Sequence, residues 1–325
     1  MHIRKLWTQV VELISDTMFF NEEEIGNANI ISDIREIGDH LEALREESSL
    51  LKVQEINIKY MLDAYLGIPF ISASHSSPLR YSPRFHLAKG HILFVFAHGL
   101  NGNEYDMSKI KTFINSFLVS EFLVLKNIKS SNGESVAELG KAAAKEILEY
   151  LGEHIGITQI NFIGFSLGGM ILRAALKHIK RFRKNFNMLM TLCTPHLGLL
   201  ETNNCLIDTG IFYLKSIKKL QNIKELCGEE ERQESGNFLE ELAKDESLSY
   251  IKCMILVGSG EDYQVPLHSS LLSYDGNSQY LSKLQESILK KPKEVHRMKV
   301  EIRLPSQWKI DRYLGRNHIY FIENS

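Results

Sequence analysis

The sequence lacks most of what would mark a secreted, membrane-spanning or metal-scaffolded chain. Its 325 residues include four cysteines, Cys193, Cys205, Cys227 and Cys253, and none is spaced as C-x-x-C. The spacing frames no disulfide scaffold and matches no zinc site, so reduced thiols in a cytoplasmic protein are expected. The first residues, MHIRKLWTQVVELISD, have neither a sustained apolar core nor a small-residue cleavage site, which argues against a signal peptide. No N-x-S/T acceptor occurs. The longest apolar runs are strand-length, far short of the roughly 20 residues that span a bilayer. The last residues, FIENS, carry no lipidation or retention signal. Charge of one sign is not in excess. The formal net charge is −2, so no global field recruits nucleic acid or an anionic membrane. There are no internal repeats and no low-complexity tracts.

With 44% hydrophobic and 24% charged residues, the chain is expected to fold around a full core. Residues 1–66 read as a helical extension. Ile3, Leu6, Val10, Ile14 and Met18 recur at helical spacing, and Ile34, Ile37, Leu41, Leu44 and Leu51 fit a seam interrupted by Ser48. Packing on the neighbouring domain is favoured over a dimerising coil. Residues 67–88, with Pro69, Pro78, Pro83 and several serines, read as a linker.

From about residue 89 to 325 strands alternate with helices. His91–Ala97, Glu121–Leu125, Ile160–Ile163, Met188–Cys193 and Ile251–Val257 are near-continuous apolar runs, the mark of strands buried on both faces in a parallel sheet covered by helices. Ser135 with Glu138 forms a capping box that opens a helix ended by Gly152. Met298–Leu304 alternates apolar and charged residues, which suits a strand with one wet face.

The stretch Ile160–Ile171, INFIGFSLGGMI, carries the chemistry. An apolar strand runs into Gly164-Phe165-Ser166-Leu167-Gly168, and an apolar-periodic helix follows from Gly169 to about Ile179. G-x-S-x-G between a strand and a helix reads as a nucleophile elbow with Ser166 at its tip. A serine hydroxyl needs a base in hydrogen-bond reach, a carboxylate to orient that base, and amide donors for the oxyanion. In such a sheet these groups come from loops at the carboxyl ends of strands. After the first apolar strand stands His98-Gly99-Leu100; His98 is read as a turn residue, and the N–H groups of Leu100 and Leu167 as the oxyanion pair. After Ile251–Val257 stand Glu261 and Asp262 ahead of Val265-Pro266; Asp262 is preferred as the orienting acid, with Glu261 as competitor. After the last strand comes Gly315-Arg316-Asn317-His318. His318 gives the chain order Ser, acid, His expected of this fold. His196 and His268 are its rivals among twelve histidines.

These residues together resemble the lipase-like α/β hydrolases, and most nearly a eukaryotic group of serine esterases. The matching blocks are FVFAHGLNGNEYD, FLVLKN, INFIGFSLGGMILRAAL, LCTPHLGLL, IDTGIFYLKSIKKL, ILVGSGEDYQVPLHSS and GRNHIYF. The resemblance implies an α/β-hydrolase fold, a catalytic triad of Ser166, Asp262 and His318, lipid-like acyl esters as substrates and no cofactor. The chain departs from the family at Phe165, where a histidine is usual. Only seven residues (319–325) follow His318, so a closing helix behind the base is expected to be short or missing.

Residues 198–250 read as a cap insertion. Ile211, Leu214, Ile217, Leu220 and Ile223 alternate with Lys215, Lys218, Lys219 and Lys224. Such an amphipathic helix could close over the site, touch an anionic lipid surface, or simply pack on the body. The reading is thus a serine hydrolase of carboxylic esters. Its alternatives are an acyltransferase using the same site and a non-catalytic scaffold.

Overall fold

The computed structural model describes residues 70–74, 91–115, 120–130, 133–199, 221–228, 237–303, 318, 319 and 322. The expected helices of residues 1–66, and the cap run from Ile211 to Leu220, lie outside the described residues.

Apolar sequence placed on both sides of a strand demands cover on both faces, and that is the architecture found. Strands β1 (Phe70–Ser74), β2 (His91–Ala97), β3 (Glu121–Val124), β4 (Ile157–Phe165), β5 (Phe186–Leu192), β6 (Cys253–Ser259) and β7 (Glu294–Arg303) form one sheet in the order β1-β7-β6-β5-β4-β2-β3. Strands β2 to β7 are parallel to one another. Helices α1 (Ser108–Asn115), α2 (Val136–Glu153), α3 (Leu167–Leu176), α4 (Gln221–Cys227), α5 (Phe238–Lys244) and α6 (Gln279–Leu289) accompany them. One sheet face packs with α2, α3, α5 and α6 through residues such as Leu139, Ile147, Ile171, Leu239 and Leu284. The other packs with α1 through Ile110 and Ile114 and with Ile322 near the C-terminus. Six parallel strands with helices on both faces make this the expected α/β-hydrolase fold.

The strands extend somewhat beyond their apolar cores. β4 begins at Ile157, because Ile157 pairs with His91 and Gln159 with Ile92, the register shifting past Thr158 between them. The linker expectation for residues 67–88 is corrected at 70–74. Phe-Ile-Ser-Ala-Ser pairs antiparallel with β7, from Phe70 opposite Arg303 to Ser74 opposite Lys299. Two of the serines that suggested a loop, Ser72 and Ser74, sit in a short edge strand, which tolerates polar residues. In β7 the alternation is as expected: Met298 and Val300 are buried while Lys299 is exposed.

Helix α2 opens as its sequence requires. The Ser135 hydroxyl accepts the Glu138 N–H at 3.1 Å, and the Glu138 carboxylate accepts the Ser135 N–H at 2.8 Å. The helix ends at Glu153, one residue past the glycine expected to stop it. The described part of the cap insertion packs on the body. The Asn222 side-chain amide donates to the carbonyls of Ser130 and Glu134, each at 3.0 Å, and the buried Glu225 carboxylate accepts the Val136 N–H at 2.7 Å.

The winding positions the site. From β2 the chain moves outward to β3, then returns across β2 to β4 and proceeds the other way through β5, β6 and β7. The carboxyl ends of β2 and β4 therefore flank a switch point, where open α/β sheets form a crevice.

Candidate active site

Ser166 follows β4 and immediately precedes α3, with φ 52° and ψ −124°. That conformation is strained for a residue with a Cβ, and the neighbours hold it. Its N–H donates to the Leu192 carbonyl at 2.8 Å. Its carbonyl accepts the Gly169 N–H at 3.1 Å and the Thr194 hydroxyl at 2.9 Å. A Cβ on Gly168 would collide with the backbone oxygens of Ala97 and His98, so only glycine lets α3 start this close to the end of β2. A Cβ on Gly99 would lie 3.1 Å from the Cβ of Ser166, which places the His98–Leu100 turn directly against the serine. Asn101 (φ 54°) and Cys193 (φ 49°) share the positive-φ strain, in the loops after β2 and β5.

The acid and the imidazole meet. Nδ1 of His318 lies 2.7 Å from Oδ2 of Asp262, and both side chains are almost wholly buried. The other carboxylate oxygen, Oδ1, accepts the N–H groups of Gln264 (2.8 Å) and Val265 (3.2 Å). A carboxylate can only accept when ionised, so Nδ1 donates and Nε2 is left with its lone pair. The His318 ring lies against the Phe165 ring with centroids 4.8 Å apart, beside the residue that precedes Ser166. Phe165 therefore packs against the imidazole. Among the described residues no hydrogen bond joins Ser166 to His318; catalytic hydrogen bonds are often long or poorly aligned before substrate arrives. His318, Ile319 and Ile322 are helical, and Ile322 is buried in the core.

The competing groups are otherwise engaged. Glu261 accepts the Ser259 hydroxyl at 2.6 Å. His98 is buried, with Nδ1 3.0 Å from the Gly99 carbonyl. His268 packs edge-on against Tyr274 at 5.4 Å. Leu100 lies in the turn against Ser166 and Leu167 is the first residue of α3. Among the described residues neither N–H has an acceptor.

His196 has a structural part that the sequence did not disclose. Fully buried Arg173 donates from a terminal guanidinium nitrogen to His196 Nδ1 at 3.1 Å. Arginine cannot accept, so Nδ1 is the acceptor and Nε2–H donates to the Thr191 hydroxyl at 2.9 Å. Burial, then the Arg173 charge, holds the His196 imidazole well below its ordinary range and keeps it neutral. Burial also pushes the Arg173 guanidinium down to about 10. The pair ties α3 to the loop that holds Thr194 against Ser166. The only sequence signal was an arginine at an inward position of an otherwise apolar helix.

A third side chain stands beside the acid. The Cys193 thiol hydrogen-bonds the Asp262 carboxylate; burial, then that carboxylate, pushes it well above the ordinary thiol range. Donor atoms of Cys193, Asp262 and His318 lie within 4.8 Å of one another. The 2.7 Å contact is a hydrogen bond, however, and tetrahedral zinc bonds of about 2.0–2.1 Å would set two ligand atoms about 3.3 Å apart. The trio is a hydrogen-bonded pair with a thiol alongside.

The chain has similarity to solved structures of several hydrolases. Carboxyl esterase 2 of the mycorrhizal fungus Tuber melanosporum is 14% identical, over 73% of this chain and 78% of the other, with a TM-score of 0.44. A lipase-esterase related protein from Clostridium acetobutylicum is 13% identical over 78% and 97%, with a TM-score of 0.35. Alpha/beta hydrolase domain-containing protein 10 from mouse is 13% identical over 79% and 92%, with a TM-score of 0.36. Residues 88–279 match the family described as "Putative serine esterase (DUF676)", a span that contains Ser166 and Asp262 and ends before His318. With more than half its length in that match, the chain belongs to this serine esterase family and is a carboxylic ester hydrolase of the α/β-hydrolase fold.

Proposed function

We propose that the chain cleaves lipid-like acyl esters through Ser166, His318 and Asp262. Ser166 Oγ attacks the acyl carbon while its proton passes to Nε2 of His318. Asp262 holds Nδ1–H and stabilises the imidazolium that forms. The oxyanion of the tetrahedral intermediate accepts the N–H groups of Leu100 and Leu167, the latter at a helix N-terminus. The carbon–oxygen bond to the alcohol then breaks. The alcohol leaves with the proton from His318, and an acyl-enzyme remains. Water, deprotonated by His318, attacks the acyl-enzyme; the bond from the acyl carbon to Ser166 Oγ breaks, Oγ takes the proton back from His318, and the carboxylic acid leaves.

The observation that carries this reading is the buried 2.7 Å contact between His318 and Asp262, set beside a strained serine in the G-x-S-x-G turn. The lipid-like substrate class is supported by the family resemblance alone. No described helix is long and apolar enough to cross a membrane. Cys193 and Cys253 are free thiols, which fits a cytoplasmic location, with contact to a lipid surface through the cap.

The test is reaction with a fluorophosphonate probe alongside hydrolysis of medium-chain nitrophenyl esters. The probe should label Ser166, and Ser166→Ala should abolish both labelling and turnover with the circular dichroism spectrum unchanged. Unaltered turnover in that variant, or folded protein that resists the probe, would overturn the assignment. Analysis of products with an added acceptor alcohol separates hydrolysis from acyl transfer.

A further inference from the structure

We propose that Cys253, Glu294 and His296 form a divalent metal site, suited to zinc, at the opposite end of the sheet from Ser166. Cys253 begins β6 and Glu294 begins β7, directly across from it in the parallel ladder. His296 is two residues further along β7, so it shares a sheet face with Glu294. That face is the one on which Cys253, Ile255, Val257, Met298 and Val300 pack. Adjacent strands lie about 4.8 Å apart, which brings sulfur, nitrogen and carboxylate donors to one spot. Their ligand atoms lie within 4.8 Å of one another.

The geometry differs from that beside Ser166. Nε2 of His296 and the Glu294 carboxylate are 3.6 Å apart. That is long for a hydrogen bond and near the separation of about 3.3 Å that two ligands of a tetrahedral zinc ion adopt. Burial grades from floor to mouth. Cys253 is 1% exposed, while the His296 and Glu294 side chains are 29% and 52% exposed. A soft donor at the base, an imidazole on the wall and a carboxylate at the opening suit a borderline-soft cation with water as its fourth ligand.

Burial, then the Glu294 charge, pushes the Cys253 thiol up to about 12. A bound cation reverses that balance, because its own charge favours the thiolate. Each metal ion taken up therefore releases one proton from the Cys253 thiol to solvent. The bound ion would clasp β6 to β7, the strands that lead to the Asp262 loop and towards His318. Sequence spacing cannot reveal such a site, because its ligands come from two strands joined through a long connection.

The experiment titrates the full-length reduced protein with Zn²⁺ against a chromophoric chelator, and with Co²⁺ in the spectrophotometer. One equivalent should bind, with a thiolate-to-cobalt charge-transfer band in the near ultraviolet. Cys253→Ser should remove the band. Loss of an outer-shell partner alone costs a metal site roughly 10–100-fold in affinity, so His296→Gln should cost at least about tenfold. His296→Gln alters a partly exposed side chain and reads the site even if Cys253→Ser is poorly folded. Cys193→Ser should change neither the band nor the affinity. Absence of stoichiometric binding, affinity unchanged by His296→Gln, or a band lost with Cys193→Ser and kept with Cys253→Ser would each overturn the proposal.

Discussion

Replacing Asp262 by asparagine changes one atom's chemistry at the centre of the site, and the structure fixes which atom. Oδ1 of Asp262 accepts two backbone N–H groups, from Gln264 and Val265. An asparagine there must put its amide oxygen in that place, because an NH₂ group would face two donors. Its NH₂ is then directed at His318 Nδ1, across the present 2.7 Å contact. A donor facing Nδ1 favours the tautomer with its proton on Nε2, and that nitrogen can no longer take the proton from Ser166. The same substitution in a serine-protease triad lowers kcat by about 10⁴, a barrier increase of about 5.4 kcal/mol at 1.36 kcal/mol per decade.

The expected outcome for Asp262→Asn is thus a fall in kcat of about 10⁴ with KM little changed. The fold should survive with a loss of about 1–3 kcal/mol, since a charge-assisted hydrogen bond becomes a neutral one in a buried setting. Steady-state ester hydrolysis gives the first number and urea denaturation the second. Fluorophosphonate labelling should slow in parallel, because it needs the same proton transfer. A kcat within about tenfold of the parent would show that His318 does not depend on Asp262 for its tautomer. A loss confined to KM would refute the reasoning equally.

Further outcomes follow from the supporting residues. Gly168→Ala drives a methyl group into the backbone oxygens of Ala97 and His98, and should cost at least about 3 kcal/mol in urea denaturation; a loss under about 1 kcal/mol would show that the elbow can relax. His196 is held neutral when folded and titrates near its usual value of about 6.5 when unfolded. Below that pH the unfolded chain binds the extra proton. Stability is therefore fully present above about 6.5 and falls as the pH drops, by up to about 1.4 kcal/mol per unit, until the lowered folded value is reached. His196→Gln should flatten that slope relative to the parent; equal slopes would mean the imidazole is not held neutral.

The parts of the fold that could be read from sequence are those in which neighbouring residues decide the outcome. β2 runs over His91–Ala97 as its apolar run does, and the Ser135–Glu138 box starts α2 where it stands. The nucleophile turn was equally legible, because its G-x-S-x-G run stands between an apolar strand and an apolar helix; Gly164 is imposed by Gly168 and Gly169 within that unit, while Gly168 is imposed by Ala97 and His98 at the end of β2. The edge strand Phe70–Ser74 was missed because what orders it is the free edge of β7, far away in sequence.

The same distinction separates the site's chemistry from its support. Ser166, Asp262 and His318 each follow a strand whose end the sequence marks, so the meeting of Asp262 with His318 could be expected from strand order. The Arg173–His196–Thr191 chain has no such marker. It arises because one position on the wholly buried α3 faces the β5 loop, and a buried guanidinium left unpaired is costly enough that the loop supplies a neutral imidazole to meet it. Cys193 belongs to the same class. Its positive φ and its N–H bond to Val257 at 2.8 Å aim the thiol at Asp262, a direction set by two strands at once. What the sequence conceals is therefore the set of contacts that exist only after β5, β6 and α3 have packed, and those contacts fix how rigidly the acid and the elbow are held.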